Sequence, residues 1–334
     1  MLRRTPDSVF LIRVFLVRVF LVGAVFVSVT VLGVAVDVAT LTSRASAAAS
    51  SGTTTTTDDN ELTAPKAIVL GLVEGVTEYL PISSTGHLHV TQRLLDIGET
   101  EATGDAADTY AITIQAGAIF AVLLLYRRRI ADVVRGMFGR SEAGRRVFVA
   151  LVLAFLPAAA FGVAFDDAIK DNLLDVGPIA GAWIVGAFAI WFVVPRVRRG
   201  DGLELDTITT RQALIIGAAQ VLALWPGTSR SLVTIIVALA VGMSMAAAVE
   251  FSFLLGLVTL SAATAYDGAR NGSDLVDTFG VATPLLGLIV AFVSAVVAVR
   301  WMVDYLQRRD LRIFAVYRVI VAALALTLLA TTTI

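Results

Sequence analysis

The sequence predicts an all-α polytopic membrane protein, built as an inverted repeat in which each half holds one re-entrant helix-loop-helix plus three transmembrane helices. Three observations predict it. Hydrophobic residues make up 57% of the 334 and charged residues 16%, with a mean hydropathy of +0.84, a balance unlike that of a soluble domain. Apolar runs recur along the chain, several of them near the roughly 20 residues that cross a bilayer. A proline, Pro81 or Pro226, stands just after two of the shorter runs, where it ends or kinks a helix.

Residues 1–60 read as an N-terminal extension. Arg3, Arg4, Arg13 and Arg18 precede an apolar run from about Val19 to Val36, followed by Ala45-Ser-Ala47 and a Ser/Thr tract from Ser50 to Thr57. The pattern fits a signal peptide with a small-residue cleavage site and a flexible linker. An uncleaved anchor fits it as well, and so does a start codon assigned too far upstream. The membrane domain occupies 61–334. Its apolar runs lie near 64–80, 109–126, 147–165, 177–194, 212–224, 232–243, 247–266, 281–302 and 313–331. A helix rising about 1.5 Å per residue covers only about 24 Å in sixteen residues, short of the roughly 30 Å hydrocarbon core. The runs at 64–80, 212–224 and 232–243 are therefore read as parts of broken hairpins, and the other six as spans.

Charge in the loops predicts orientation. Residues 127–146 hold seven arginines, 196–211 four and 300–312 four, whereas 96–108 holds five acidic residues and no basic one. The positive-inside rule places the arginine-rich loops in the cytoplasm. The segment 212–243 must then enter and leave from the cytoplasmic side, and 64–95 from the outer side. The repeats, about 62–195 and 205–331, align through Gly71-Leu-Val-Glu74 with Gly217-Ala-Ala-Gln220. They align again through Leu80-Pro-Ile-Ser-Ser-Thr85 with Trp225-Pro-Gly-Thr-Ser-Arg230, after a one-residue slip. Three spans per half is an odd number, so the second half is inserted upside down.

The chemistry concentrates in 71–87. Ionisable groups inside a membrane are rare and mark function by default. On a helix, Gly71, Glu74, Gly75 and Glu78 share one face: the glycines admit a neighbouring backbone, and the two carboxylates stack one turn apart. Close carboxylates repel unless a cation or a proton intervenes, so the pair is either a divalent-cation site, an acid/base pair, or the lining of a polar cavity. The chain has no cysteine and only two histidines. Thiolate sites, disulfides and polyhistidine cages are excluded, and a metal would be held by oxygen, which favours Mg2+ or Ca2+. Ser83, Ser84 and Thr85 follow the Pro81 break, where hydroxyls either cap a helix or join its free N–H groups in holding an anion. His87 lies close enough in sequence to activate one of them as a nucleophile; His89 is read as structural.

The second hairpin offers Thr228, Ser229 and Arg230. A guanidinium between apolar helices needs an anion, and its fork suits phosphate; without ligand it would pair with Glu74 or Glu78. Gln220 aligns with Glu74 but is neutral, which assigns the acid chemistry to the first half. Glu250, near the start of a span, is expected to face the cavity. Trp183, Trp191 and Trp301 are candidates for interfacial anchors.

These residues carry a resemblance. The stretches Gly71–His87 and Ala223–Ser231 closely resemble the two signatures of the undecaprenyl-diphosphatase family, the bacitracin-resistance type. Further similarity appears at Ile114-Gln-Ala-Gly117, Phe251-Ser-Phe-Leu-Leu255 and Ile313-Phe-Ala-Val-Tyr-Arg318. The resemblance covers about 62–330. It departs at Leu232, where the family usually has glycine, at His89, usually apolar, and over the first 60 residues. It implies a plasma-membrane phosphatase that removes the terminal phosphate of a polyprenyl diphosphate, recycling the carrier lipid of envelope glycans, with a site open to the outer face. By motif match, Glu74 and Glu78 correspond to its acidic pair, which would hold the cation, and Ser83, Ser84, Thr85 and His87 to its hydroxyl and histidine cluster. The mechanism expected of them is attack by a hydroxyl, Ser84 favoured over Ser83 and Thr85, with His87 as base; attack by metal-activated water is the rival. Arg230, with Ser83, Thr85, Thr228 and Ser229, would bind the diphosphate. A lipid flippase on the same fold is the rival reading, although a carrier has no need of the Ser-Ser-Thr-Gly-His cluster. No nucleic-acid partner is expected, and a homodimer is left open.

Overall fold

The computed structural model describes residues 62–98, 101–196 and 202–331. The reading of residues 1–60 as signal peptide or anchor lies outside them. Among the described residues the chain is helical throughout, with a single isolated bridge between Leu203 and Met243. In order, the helices are α1 (Ala64–Thr77), α2 (Ser84–Leu94), α3 (Glu101–Leu125), α4 (Arg127–Met137), α5 (Glu142–Leu173) and α6 (Val176–Val193). They continue with α7 (Thr210–Gln220), α8 (Arg230–Ala240), α9 (Met245–Phe279), α10 (Ala282–Leu306) and α11 (Arg312–Ala330).

Local chemistry explains the boundaries. Pro65 opens α1, where a missing N–H costs nothing. Thr209 and Gln212 form a reciprocal capping box at α7. Asp175 caps α6 and Ser244 caps α9, each through its side-chain oxygen. Gly280 ends α9 at φ +69°. In α5, Pro157 lies inside the helix, and the backbone leaves helical geometry at Phe165.

Six helices are long and apolar enough to span a bilayer: Thr103–Leu125, Glu142–Phe165, Val176–Val193, Met245–Phe279, Ala282–Leu306 and Arg312–Ala330. They correspond to the six spans read from the sequence. Their outward positions, Phe120, Phe188, Phe192, Val293 and Val297 among them, are exposed, as lipid-facing side chains are. Lipid is as apolar as leucine, so close packing rather than water exclusion must hold such helices together. The glycines supply it. A Cβ at Gly71 would collide with the Gly287 carbonyl and one at Gly75 with the Ala291 carbonyl and Ser294, so α1 lies backbone to backbone against α10. Gly217 does the same for α7, where a Cβ would strike the backbone of Ala154 in α5.

The two broken segments, α1–α2 and α7–α8, match at one constant offset. Ala64 and Thr210 begin the first helix of each pair. The turn between helices ends at Ser83 (φ 74°, ψ 105°) in one and at Ser229 (φ 73°, ψ 111°) in the other, each the N-cap of an 11-residue helix. The one-residue slip in the sequence alignment is thereby corrected: Ser83 answers to Ser229, and Ser84 to Arg230. A shared prolyl landmark suggested the slip, but the backbone places Pro81 opposite Gly227 and leaves Pro226 opposite Leu80.

Candidate functional site

The two hairpin tips meet, and one cation binds them. Arg318 on α11, 1% exposed, donates from Nη1 to the Pro81 carbonyl (3.2 Å) and from Nη2 to those of Gly227 (2.9 Å) and Thr228 (3.2 Å). It also donates to the carbonyls of Ala182 (2.9 Å) and Trp183 (3.0 Å) in α6. Gly186 leaves it room, since a Cβ there would strike the guanidinium. The tips also bind each other, the Leu80 carbonyl accepting from the hydroxyl of Ser231 at 2.9 Å, and α6 holds the first tip through Trp183 Nε1, which donates to the Ile82 carbonyl at 3.0 Å. Backbone groups that proline and the sharp turns strip of helical partners are re-satisfied in this way.

Around the tips lies a cavity of about 160 Å3, whose polar lining includes Glu78, Ser83, Ser84, Gln115, Gln220 and Arg230. Glu78 is its centre. One carboxylate oxygen, Oε1, accepts from Arg230 Nη2 at 3.0 Å, and the other, Oε2, accepts the Ser84 hydroxyl. Arg230 donates its Nη1 to the Ser252 carbonyl at 3.1 Å and lies over the Tyr79 ring, 5.5 Å from its centroid. Its space comes from Gly256, where a Cβ would meet the guanidinium. Its Nε is buried without a partner. Removing either member of so buried an ion pair would strand the other. Glu74, fully buried, has no partner for either carboxylate oxygen.

Several predicted roles fall differently. His87 does not reach Ser84: its Nδ1 meets the Ser83 carbonyl at 2.6 Å and its Nε2 the Tyr317 hydroxyl at 2.9 Å. Its ring also packs 5.0 Å from that of Trp183. Four residues along the helix, it faces back toward the tip while Ser84 faces Glu78, so proximity in sequence misassigned the partner. Arg230 pairs with Glu78 and not with Glu74. Ser83 and Ser229 are both buried at the turn; Ser229 caps Leu232 N at 3.3 Å. Thr85 is exposed at the cavity, and Thr228 contributes its carbonyl to Arg318. Trp183 is no interfacial anchor, being fully buried behind the first tip. Glu250 turns away from the cavity to Arg129 Nε at 2.8 Å, and the same guanidinium binds Asp206. Those partners, the Glu250 hydrogen bond foremost, hold Arg129 above the usual arginine range.

Arg318 is the residue that sequence reasoning passed over. It sits inside an apolar run of spanning length, and the rule that flagged Arg230 applied to it equally. Tyr317 and Ser231 gave no such signal, because neither residue type is unusual in a helix of this kind.

The chain is similar to known proteins over most of its length. The family described as Bacitracin resistance protein BacA matches residues 67–324. An undecaprenyl-diphosphatase of Sorangium cellulosum is 43% identical over 266 residues, covering 78% of this chain and 85% of that protein. Undecaprenyl-diphosphatase 2 of Rhodospirillum rubrum is 45% identical over 266 residues, covering 80% and 94%. Undecaprenyl-diphosphatase 3 of Acinetobacter baylyi is 40% identical over 259 residues, covering 78% and 95%.

Proposed function

This chain belongs to the Bacitracin resistance protein BacA family, and from that membership we infer an integral membrane phosphatase. It hydrolyses a polyprenyl diphosphate of the undecaprenyl type to the monophosphate and inorganic phosphate. One observation carries the reading onto this chain's own residues: Glu78 holds Ser84 from its own hairpin and Arg230 from the other. That arrangement joins a nucleophile, its base and a phosphate clamp in one buried cluster.

In the mechanism we propose, the terminal phosphate displaces Glu78 from Arg230, whose unpartnered Nε and freed Nη2 then take phosphate oxygens as a fork. Ser84 Oγ attacks the terminal phosphorus as Glu78 accepts its proton. The new bond is Oγ–P. The bond that breaks joins the terminal phosphorus to the bridging oxygen, which leaves with its electron pair on the polyprenyl monophosphate. Water then attacks the phosphoserine, releasing inorganic phosphate and returning the proton to Ser84. Tyr317 and the Ser83 carbonyl hold His87 as part of the wall behind the first tip, which gives it a positioning role.

The donor set suits a hard divalent cation of the Mg2+ or Ca2+ type. Among the described residues no group of three or more acidic or histidine side chains converges, but Glu74 keeps both oxygens free. Cations of this class are commonly held by one or two carboxylates together with substrate phosphates. Glu74 with Glu78 would hold it, and it would supply neutralisation of the diphosphate's charge.

The inverted-repeat reading is supported by the constant offset between the hairpins and by like packing, α1 on α10 and α7 on α5. With the arginine-rich loops in the cytoplasm, the first hairpin enters from outside the plasma membrane, and the site opens to that face. The test is phosphate release from a polyprenyl diphosphate by purified protein in detergent, with and without chelator. Detergent removes any transport gradient, so release there is catalysis. No release with cation present would sink the assignment, and release unaffected by chelator would remove the cation from it.

A further inference from the structure

A separate cavity of about 430 Å3 opens where α3 passes into α4, lined by Leu124 and by four arginines, Arg127, Arg128, Arg129 and Arg300. It lies about 13 Å further along α3 than Gln115 of the catalytic cavity, at the helical rise per residue, and shares no lining residue with it. Arg129 is committed to Glu250 and Asp206. Among the described residues, Arg127, Arg128 and Arg300 have neither an ion-pair nor a hydrogen-bond partner, and all three are exposed. No carboxylate lines the cavity. Catalysis at Glu78 makes no use of this cluster.

The apolar surroundings say what kind of anion fits. Leu124 and Phe120, one turn apart on α3, are exposed. So are Val297 and Val293, which lie three and seven residues before Arg300 and share its face of α10. The two helices pack against each other, and both reach their arginines from the same end of the molecule. The arrangement is a charged head above paired apolar stripes, the complement of a lipid. A soluble anion would leave the stripes unused, and a zwitterionic headgroup would bring its own cation into a cluster of unpaired guanidiniums.

We propose that this cavity is a headgroup site for an anionic phospholipid, its phosphodiester among Arg127, Arg128 and Arg300 and its acyl chains along α3 and α10. Near a membrane surface each arginine contributes roughly a fivefold preference for an anionic lipid. The experiment uses the full chain in nanodiscs containing phosphatidylglycerol and phosphatidylcholine, with co-retained lipid counted by native mass spectrometry. Wild type should enrich phosphatidylglycerol several-fold, and the triple variant Arg127→Gln/Arg128→Gln/Arg300→Gln should fall to the bulk ratio, while turnover in detergent stays at the wild-type level. If the triple variant does not fold, Arg300→Gln alone carries the test, with enrichment expected to fall partway to the bulk ratio. Equal retention of the two lipids by wild type overturns the proposal. So does enrichment that survives in the folded variant, or enrichment erased by excess inorganic phosphate, which would mark a soluble-anion site.

Discussion

The first and second hairpins share a backbone and differ in charge. Each breaks a short helix, turns through a serine at nearly identical positive φ, and starts an 11-residue helix. At matched positions Glu74 stands opposite Gln220, Glu78 opposite Leu224, and Ser84 opposite Arg230. One hairpin therefore holds Glu74, Glu78 and the Ser84 hydroxyl, and the other holds the Arg230 guanidinium. Like charges in both would repel across the cavity, whereas unlike charges pair, as Glu78 and Arg230 do. Two like backbones thus place unlike side chains where they meet.

The strongest way to break the contrast is to remove a charge on one side only. Glu78→Gln and Arg230→Ala should each lower turnover by about a hundred- to a thousandfold or more, with folded protein still in the membrane; near-normal turnover in either would refute the clamp. Ser84→Ala should lose activity comparably and leave no protein-bound label after a pulse of substrate carrying radioactive terminal phosphate. Label without Ser84 would move the attack to another side chain, and unlabelled protein that stays active without Ser84 would move it to water. Arg318→Ala attacks what both hairpins share. It frees five carbonyls at once, so a loss of roughly 3 kcal/mol or more is expected in thermal unfolding followed by tryptophan fluorescence. Arg318→Lys, a point charge on a flexible stem, should recover only part of it. Finer still is Gln220→Glu, which makes the second hairpin acidic like the first. Added repulsion toward the diphosphate should raise KM several-fold with kcat less affected. The smallest effect is expected for Ser83→Gly, which relaxes a positive φ at a turn and should shift stability by no more than about 1 kcal/mol.

How legible this was depended on the kind of signal. The six spans were plain, because length and hydropathy are one-dimensional. Gly71 and Gly75 were read as points of close approach, and α10 does approach there. Polar residues that are rare in an apolar chain, such as Glu78 and Arg230, could be picked out singly. Their pairings could not. Whether Ser84 reaches His87 or Glu78 depends on the turn's dihedrals, and Ser83 adopts a φ that serine seldom shows. The slip in the repeat alignment had the same root: two prolines one position out of register outweighed a backbone match that only coordinates reveal. Arg318 was quoted as part of a motif without being weighed as a buried cation, and Glu250 was assigned to the cavity by its place in a span rather than by its reach.

Arg318 has a further consequence as a source of field. Its charge is solvated by carbonyl dipoles of α6 and both tips, and among the described residues no carboxylate neutralises it. Carbonyl oxygens lower the energy of a cation without cancelling its net charge, so a positive potential extends from beneath the tips into the neighbouring low-dielectric cavity. A doubly phosphorylated headgroup at the membrane surface would be drawn inward before it touches Arg230. A residue can thereby act on an anion that it never touches.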